Sequence, residues 1–144
     1  MQRIVVGVDG SQGARRALEW AVAEAKLRDA YLVVVHAWLE PAAVAVGSVI
    51  SAGGVEPELF EETAERTMAD VLASVDTTEL PQGYETSVVS GAPARALIDA
   101  AHDADLLVVG SRGLGGFTGL LLGSVSQQVA HHATCPVTIV PSHR

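Results

Sequence analysis

Between positions 110 and 126 the chain reads Gly110-Ser111-Arg112-Gly113-Leu114-Gly115-Gly116-Phe117-Thr118-Gly119, then Leu120 to Leu122, then Gly123-Ser124-Val125-Ser126. Five of the 14 glycines fall between Gly110 and Gly119, a density that suits close approach of backbone to a ligand. Without a Cβ, amides can turn inward, and runs of such amides form anion nests. A helix starting at Ser124 would add the unpaired N–H groups of Ser124, Val125 and Ser126, together with the positive end of its dipole. The hydroxyls of Ser124 and Ser126 are further donors. Hydrogen bonds to a charged acceptor contribute about 1.5–3 kcal/mol each, so several could hold a polyphosphate on a chain of net charge −8. A Walker loop would need Lys-Ser or Lys-Thr where Gly116-Phe117 stand. The chemistry on offer is anion binding by backbone, without a catalytic lysine.

Other chemistries find fewer residues. Asp9 follows the apolar run Ile4 to Val8, where a carboxylate could bind sugar hydroxyls, help hold Mg²⁺, or cap the next helix. Its place at a strand end favours the ligand role. Arg112 fits a phosphate contact, with a solvated side chain as the alternative. His131 and His132 are adjacent on a helix and point about 100° apart, so one metal cannot be held from one face. His36 and His102 have no carboxylate or cysteine at ligand spacing. The single cysteine, Cys135, excludes an internal disulfide and a cysteine metal cage. Lacking a basic neighbour, it reads as a small core residue. No serine stands in the Gly-x-Ser-x-Gly frame of a nucleophile elbow, and no catalytic residue is assigned.

These residues need elements to position them. The chain has 144 residues, 49% hydrophobic and 18% charged, too apolar for a disordered polymer and of the size of one domain, 1–144. An excess of 17 Asp+Glu over 9 Lys+Arg disfavours a nucleic-acid partner. The weakly polar stretch Ala42 to Val55 is too short, and too interrupted by glycine and serine, to span a membrane. The opening residues lack the apolar core of a signal peptide, so a cytoplasmic protein without a membrane partner is expected.

Ile4 to Val8, Leu32 to Val35 and Leu106 to Val109 are continuous apolar runs, the pattern of parallel strands covered on both faces. Tyr84 to Val89 and Val137 to Val140 are more polar or shorter and fit sheet edges. Between them, Ala14, Ala17, Leu18, Ala21, Val22 and Ala25 recur at helical spacing, as do Phe60, Ala64, Thr67, Met68, Val71, Leu72 and Val75. Pro93 opens a third helix carrying Ala94, Leu97, Ile98 and Ala101. Ser124 and Gln127 have capping-box spacing for a fourth. Alternating strands and helices predict an α/β fold: a single doubly wound, Rossmann-like domain with a five-stranded parallel sheet of order 3-2-1-4-5 and four helices. The order reverses between strands one and four, so ligands belong beyond their carboxyl ends.

Those ends carry a recognisable pattern. Gly110-x2-Gly113-x9-Gly123-Ser124 resembles the motif of the universal stress protein family in its ATP-binding branch. The similarity extends to Ile4-Val5-Val6-Gly7-Val8-Asp9-Gly10-Ser11, to His36-Ala37 after strand two, to Gly91-Ala92-Pro93, and to Cys135-Pro136-Val137-Thr138-Ile139-Val140. The resemblance implies that Gly7, Val8 and Asp9 line the nucleoside side, with Ala37 giving main-chain contacts to adenine. It implies that Val109, Gly110, Arg112 and Gly113 form one wall of a phosphate cradle, and Gly123, Ser124, Val125 and Ser126 the other. It implies ATP as ligand, with Mg²⁺ as its accompanying ion, a regulatory role in stress adaptation, and a homodimer joined along the last strand. Hydrolysis would be slow at most.

The alternatives are a cyclic nucleotide in the same pocket, an ATP-consuming enzyme of the related pyrophosphatase-loop type, and a flavodoxin-like FMN carrier. The FMN reading wants its phosphate loop after strand one. Last, the 16-residue connection Pro41 to Glu56 exceeds the roughly 12–15 residues usual without structure. It is expected to be either a lid over the nucleotide or a tether.

Overall fold

A computed structural model describes residues 1–39, 57–112 and 122–142. Gly113 and the Pro41 to Glu56 connection therefore lie outside the described residues. The elements are β1 (Arg3–Gly7), α1 (Gln12–Arg28), β2 (Tyr31–Trp38), α2 (Pro57–Ala73), β3 (Tyr84–Ser90), α3 (Pro93–Ala100), β4 (Leu106–Gly110), α4 (Ser124–His132) and β5 (Val137–Val140).

Successive residues of a strand point to opposite faces, and here both faces are buried because both meet helices. Ile4, Val6, Leu32, Val34 and Val108 pack with Leu18 of α1 and Met68 of α2. Val5, Val33, Val35, Leu107 and Val109 pack with Leu97 of α3 and Val129 of α4. The sheet is parallel throughout, ordered β3-β2-β1-β4-β5, as the sequence predicts. At its carboxyl edge Gly7 lies opposite Val35, and Gly110 opposite Val140.

Three local expectations are corrected. His36 and Ala37 lie inside β2, which pairs with β3 as far as Trp38 opposite Ser90; a polar ring in an apolar run hides that continuation. Phe60 does not join the buried face of α2: it is 38% exposed, and the first buried side chain among those described on that helix is Ala64. The capping box does not form. Gly123 is the N-cap of α4, with φ −76° and ψ 172°, and the Gln127 amide donates to Leu122 O at 3.1 Å instead of reaching Ser124. A Ser side chain can cap only from outside the first turn, and Ser124 is already within it.

Helix α1 begins where the chain leaves β1. Ser11, extended at φ −88° and ψ 163°, accepts from the Ala14 amide at 3.1 Å, so Ser11 rather than Asp9 caps the helix. A Cβ on Gly13 would stand 2.6 Å from Arg112 O, and one on Gly110 would stand 3.0 Å from Gly13 O. The first turn of α1 and the end of β4 thus meet backbone to backbone, a contact only glycine permits.

Candidate functional site

The carboxyl ends of β2, β1 and β4, with the first turn of α4, enclose a cavity of about 480 Å³, within the range of small-molecule sites. β1 and its continuation supply Gly7, Val8, Asp9 and Ser11; β2 supplies His36, Ala37 and Trp38. Val109, Gly110 and Arg112 come from β4 and the turn after it, and Gly123, Ser124, Val125 and Ser126 from α4. Every site residue expected from the sequence, other than Gly113, borders this one space. Ser11, Ala14, His36, Trp38, Leu39, Pro93 and Leu97 also line it and were not expected there. A histidine interrupting an apolar strand was the available signal for the first polar contact among them. Leu97 was legible only as a core residue; its methyls fill the space beside Gly7, where a Cβ would approach to 2.6 Å.

Each wall is held by specific bonds. The Val8 amide donates to Val35 O at 2.8 Å, extending the pairing of β1 with β2 one residue past the strand. Asp9 Oδ1 accepts from the Ser11 amide at 2.8 Å, which fixes the carboxylate at the cavity rim. Asp9 is the one carboxylate among the described residues lining the cavity.

On the α4 side, the backbone N–H of Gln127 donates to Gly123 O at 3.0 Å. The amides of Ser124, Val125 and Ser126 precede it and have no acceptor within the helix, the general condition of a first turn. With the dipole behind them they favour an anion, and Arg112 adds a full positive charge to the same lining.

The Ser126 hydroxyl is not among the donors offered to a ligand. Ser126 is 2% exposed, and its Oγ donates to Ser111 O and Gly123 O, both at 3.0 Å. Ser111 O also accepts from the Gly123 amide at 2.6 Å, while the Ser111 amide donates to Val140 O at 2.8 Å. Ser111 Oγ accepts from the Ser142 amide at 3.2 Å. Ser111 and Ser126 therefore brace α4 and the end of β5 against β4. Ser126→Ala removes the hydroxyl donor that the part-buried Ser111 and Gly123 carbonyls share, and is expected to lower unfolding free energy by about 1–2 kcal/mol. Urea denaturation checks this; an unchanged midpoint would show that the brace carries no stability.

The remaining candidates stay apart from the cavity. His102, His131 and His132 are exposed, and no group of three metal-ligating side chains occurs among the described residues. Cys135 is half-buried. Burial first, and the Asp105 carboxylate second, push its thiol above the ordinary value, so it stays protonated and unreactive at neutral pH. No helix among the described residues is long and apolar enough to cross a membrane.

A doubly wound α/β sheet of order β3-β2-β1-β4-β5, with the first turn of a helix beside the carboxyl ends of its central strands, defines a Rossmann-like protein. The chain belongs to the universal stress protein family, whose sequence model matches residues 1–141. A universal stress protein of Mycolicibacterium smegmatis is 39% identical over 137 residues, covering 95% of this chain and 45% of that protein. The chain thus spans just under half the length of that relative. A universal stress protein of Thermus aquaticus is 40% identical over 139 residues, covering 95% of this chain and 96% of its own.

Among solved structures, UspA from Lactobacillus plantarum superposes with a TM-score of 0.75 at 26% identity, over 96% of this chain and 97% of its own. A universal stress protein in complex with cAMP has a TM-score of 0.65 at 31% identity, over 98% and 97%. One from Archaeoglobus fulgidus in complex with dAMP has a TM-score of 0.61 at 26% identity, over 97% and 98%.

Proposed function

We propose that this protein is an ATP-binding regulatory module of stress adaptation, working as a cytoplasmic homodimer whose conformation or partners depend on the nucleotide. The observation that carries this is the cavity at the switch point, where first-turn amides and Arg112 can meet phosphates while β1 and β2 ends are left for the nucleoside. Neighbours crystallised with cAMP and dAMP support an adenine nucleotide in general. ATP is the finer reading, because a glycine stretch and a helix N-terminus together supply more anion donors than one phosphate needs. The cAMP complex favours a cyclic nucleotide as the second reading.

In the proposed pose, Asp9 faces ribose and Ala37 contacts adenine through its main chain. Val109, Gly110, Arg112 and Gly113, with Gly123, Ser124, Val125 and the Ser126 amide, hold the phosphates. Any Mg²⁺ would be held chiefly by those phosphates and at most by Asp9, since the described residues offer no cluster of metal ligands. We assign no catalytic residue. The dimer seam is β5, which ends the sheet and would otherwise leave apolar Val137 and Ile139 beside unpaired edge amides.

Native mass spectrometry of the purified protein tests both halves. A dimer carrying one adenine nucleotide per chain is expected, with a mass that distinguishes ATP from a cyclic monophosphate. Ile139→Pro removes an edge donor and should give monomers. A chain that takes up no adenine nucleotide on titration, or a folded Ile139→Pro protein that stays fully dimeric, would defeat the corresponding half.

A further inference from the structure

We propose that His36 contacts the ligand directly: its Nε2 accepts a hydrogen bond from an N–H or O–H donor on the nucleoside half of the bound nucleotide. This rests on the adenine-nucleotide reading above and deepens it.

His36 is 8% exposed, one of two buried polar residues in the core of the described structure. Its Nδ1 lies 3.0 Å from Val8 O. A carbonyl oxygen has no proton to give, so Nδ1 must carry the hydrogen, and in the neutral ring Nε2 is left as a lone-pair acceptor. Nε2 has no partner among the described residues. Yet no buried side-chain nitrogen or oxygen of the described residues is sealed away without one. Nε2 is therefore reached from open space, and His36 is one of the residues that line the cavity.

The ring is also firmly placed. Strand β2 holds it on one side, and the Val8 peptide it grips is itself tied to β2 through the bond from the Val8 amide to Val35 O. Val8 leads directly into Asp9 on the same lining. A valine or leucine would fill a β2 core position without a polar atom to satisfy. An acceptor held at this point gains its partner when a ligand brings a donor. The donors available on a nucleoside are the ribose hydroxyls and the adenine 6-amino group. Triphosphate oxygens cannot donate, so the contact belongs to the nucleoside half.

The test compares wild type, H36N and H36Q by calorimetric titration with ATP, 2′-deoxy-ATP, 3′-deoxy-ATP and purine riboside triphosphate, which lacks the 6-amino group. Asparagine can still donate to Val8 O but has no acceptor at the Nε2 position; glutamine restores an acceptor near it. Wild type should bind ATP about tenfold more tightly than one of the three analogues, and that analogue names the donor. H36N should bind ATP about tenfold more weakly and lose this discrimination, while H36Q recovers part of it. Nitrogen NMR of the wild-type ring gives a reading that no variant's folding can spoil: the Nε2 resonance should move with ATP and not with the analogue lacking the donor.

A folded H36N protein with unchanged ATP affinity, an equal loss for all four ligands, or a stationary Nε2 resonance would each overturn the contact while leaving nucleotide binding intact. Failure of wild type to bind any of the four and cAMP would overturn both readings.

Discussion

Gly13→Ala should destabilise the protein by about 2 kcal/mol, a fall in Tm of roughly 8 °C for a chain of this size. Two effects compete at this position. Alanine in place of glycine in a helix is worth up to about 1 kcal/mol in the other direction. Against it, the new Cβ would meet Arg112 O at 2.6 Å, and that atom is backbone, held near the end of β4, so it cannot swing aside as a side chain would. Overpacking of this kind costs about 1–3 kcal/mol, and the clash wins. Gln12→Ala, one residue earlier on the exposed side of α1, should leave the unfolding free energy within about 0.5 kcal/mol of wild type. Calorimetry of the pair decides the matter. A Gly13→Ala protein at least as stable as wild type would mean that α1 and the Arg112 turn do not touch. Because Arg112 also lines the cavity, the same displacement should weaken the ligand.

Saturating ATP should raise stability by about 2.7 kcal/mol at 100 times its dissociation constant, since a ligand that binds only the folded state stabilises by mass action. Gly123→Val should abolish that gain. The N-cap conformation of Gly123, φ −76° and ψ 172°, is open to any residue, so valine brings no backbone strain. Its unfavourable N-cap character costs only about 1 kcal/mol, and the variant should fold. The isopropyl group would stand at the cavity lining, where the proposed phosphates must approach the amides of α4. Melting curves with and without ATP separate the two effects. A Gly123→Val protein that keeps the full ATP-induced shift would place the phosphates elsewhere.

Much of this architecture is legible in residues taken singly. The runs Ile4 to Val8 and Leu106 to Val109 declare buried strands because nothing but apolar side chains can face two helical layers at once, and the polar Tyr84 to Val89 declares an edge. Ser124, ahead of Val125 and Val129 at helical spacing, marks the start of α4. Legibility fails where one residue type serves two geometries. Ser124 and Gln127 have the spacing of a capping box, yet the helix starts one residue too early to use it, because Gly123 is already tied to Ser111 O at 2.6 Å. Phe60 has the period of the α2 core face but not its burial.

What the sequence determined by itself is the order of the elements and the switch point, which follow from local pattern and from the rules of parallel sheets, and the family, which it resembles through the motif Gly110-x2-Gly113-x9-Gly123-Ser124. What only the tertiary structure decided is which atoms face the cavity. The Ser126 hydroxyl is spent on Ser111 and Gly123 carbonyls, Asp9 is fixed by the Ser11 amide, and His36, dismissed from its spacing as a metal ligand, stands at the pocket with one ring nitrogen bonded to Val8. Each of these joins residues to partners that a one-dimensional pattern does not pair, His36 to Val8 across two strands and Ser126 to Ser111 fifteen residues away. Hydrogen-bond partners are set by distance and direction in space, and those exist only once the sheet has brought its strand ends together.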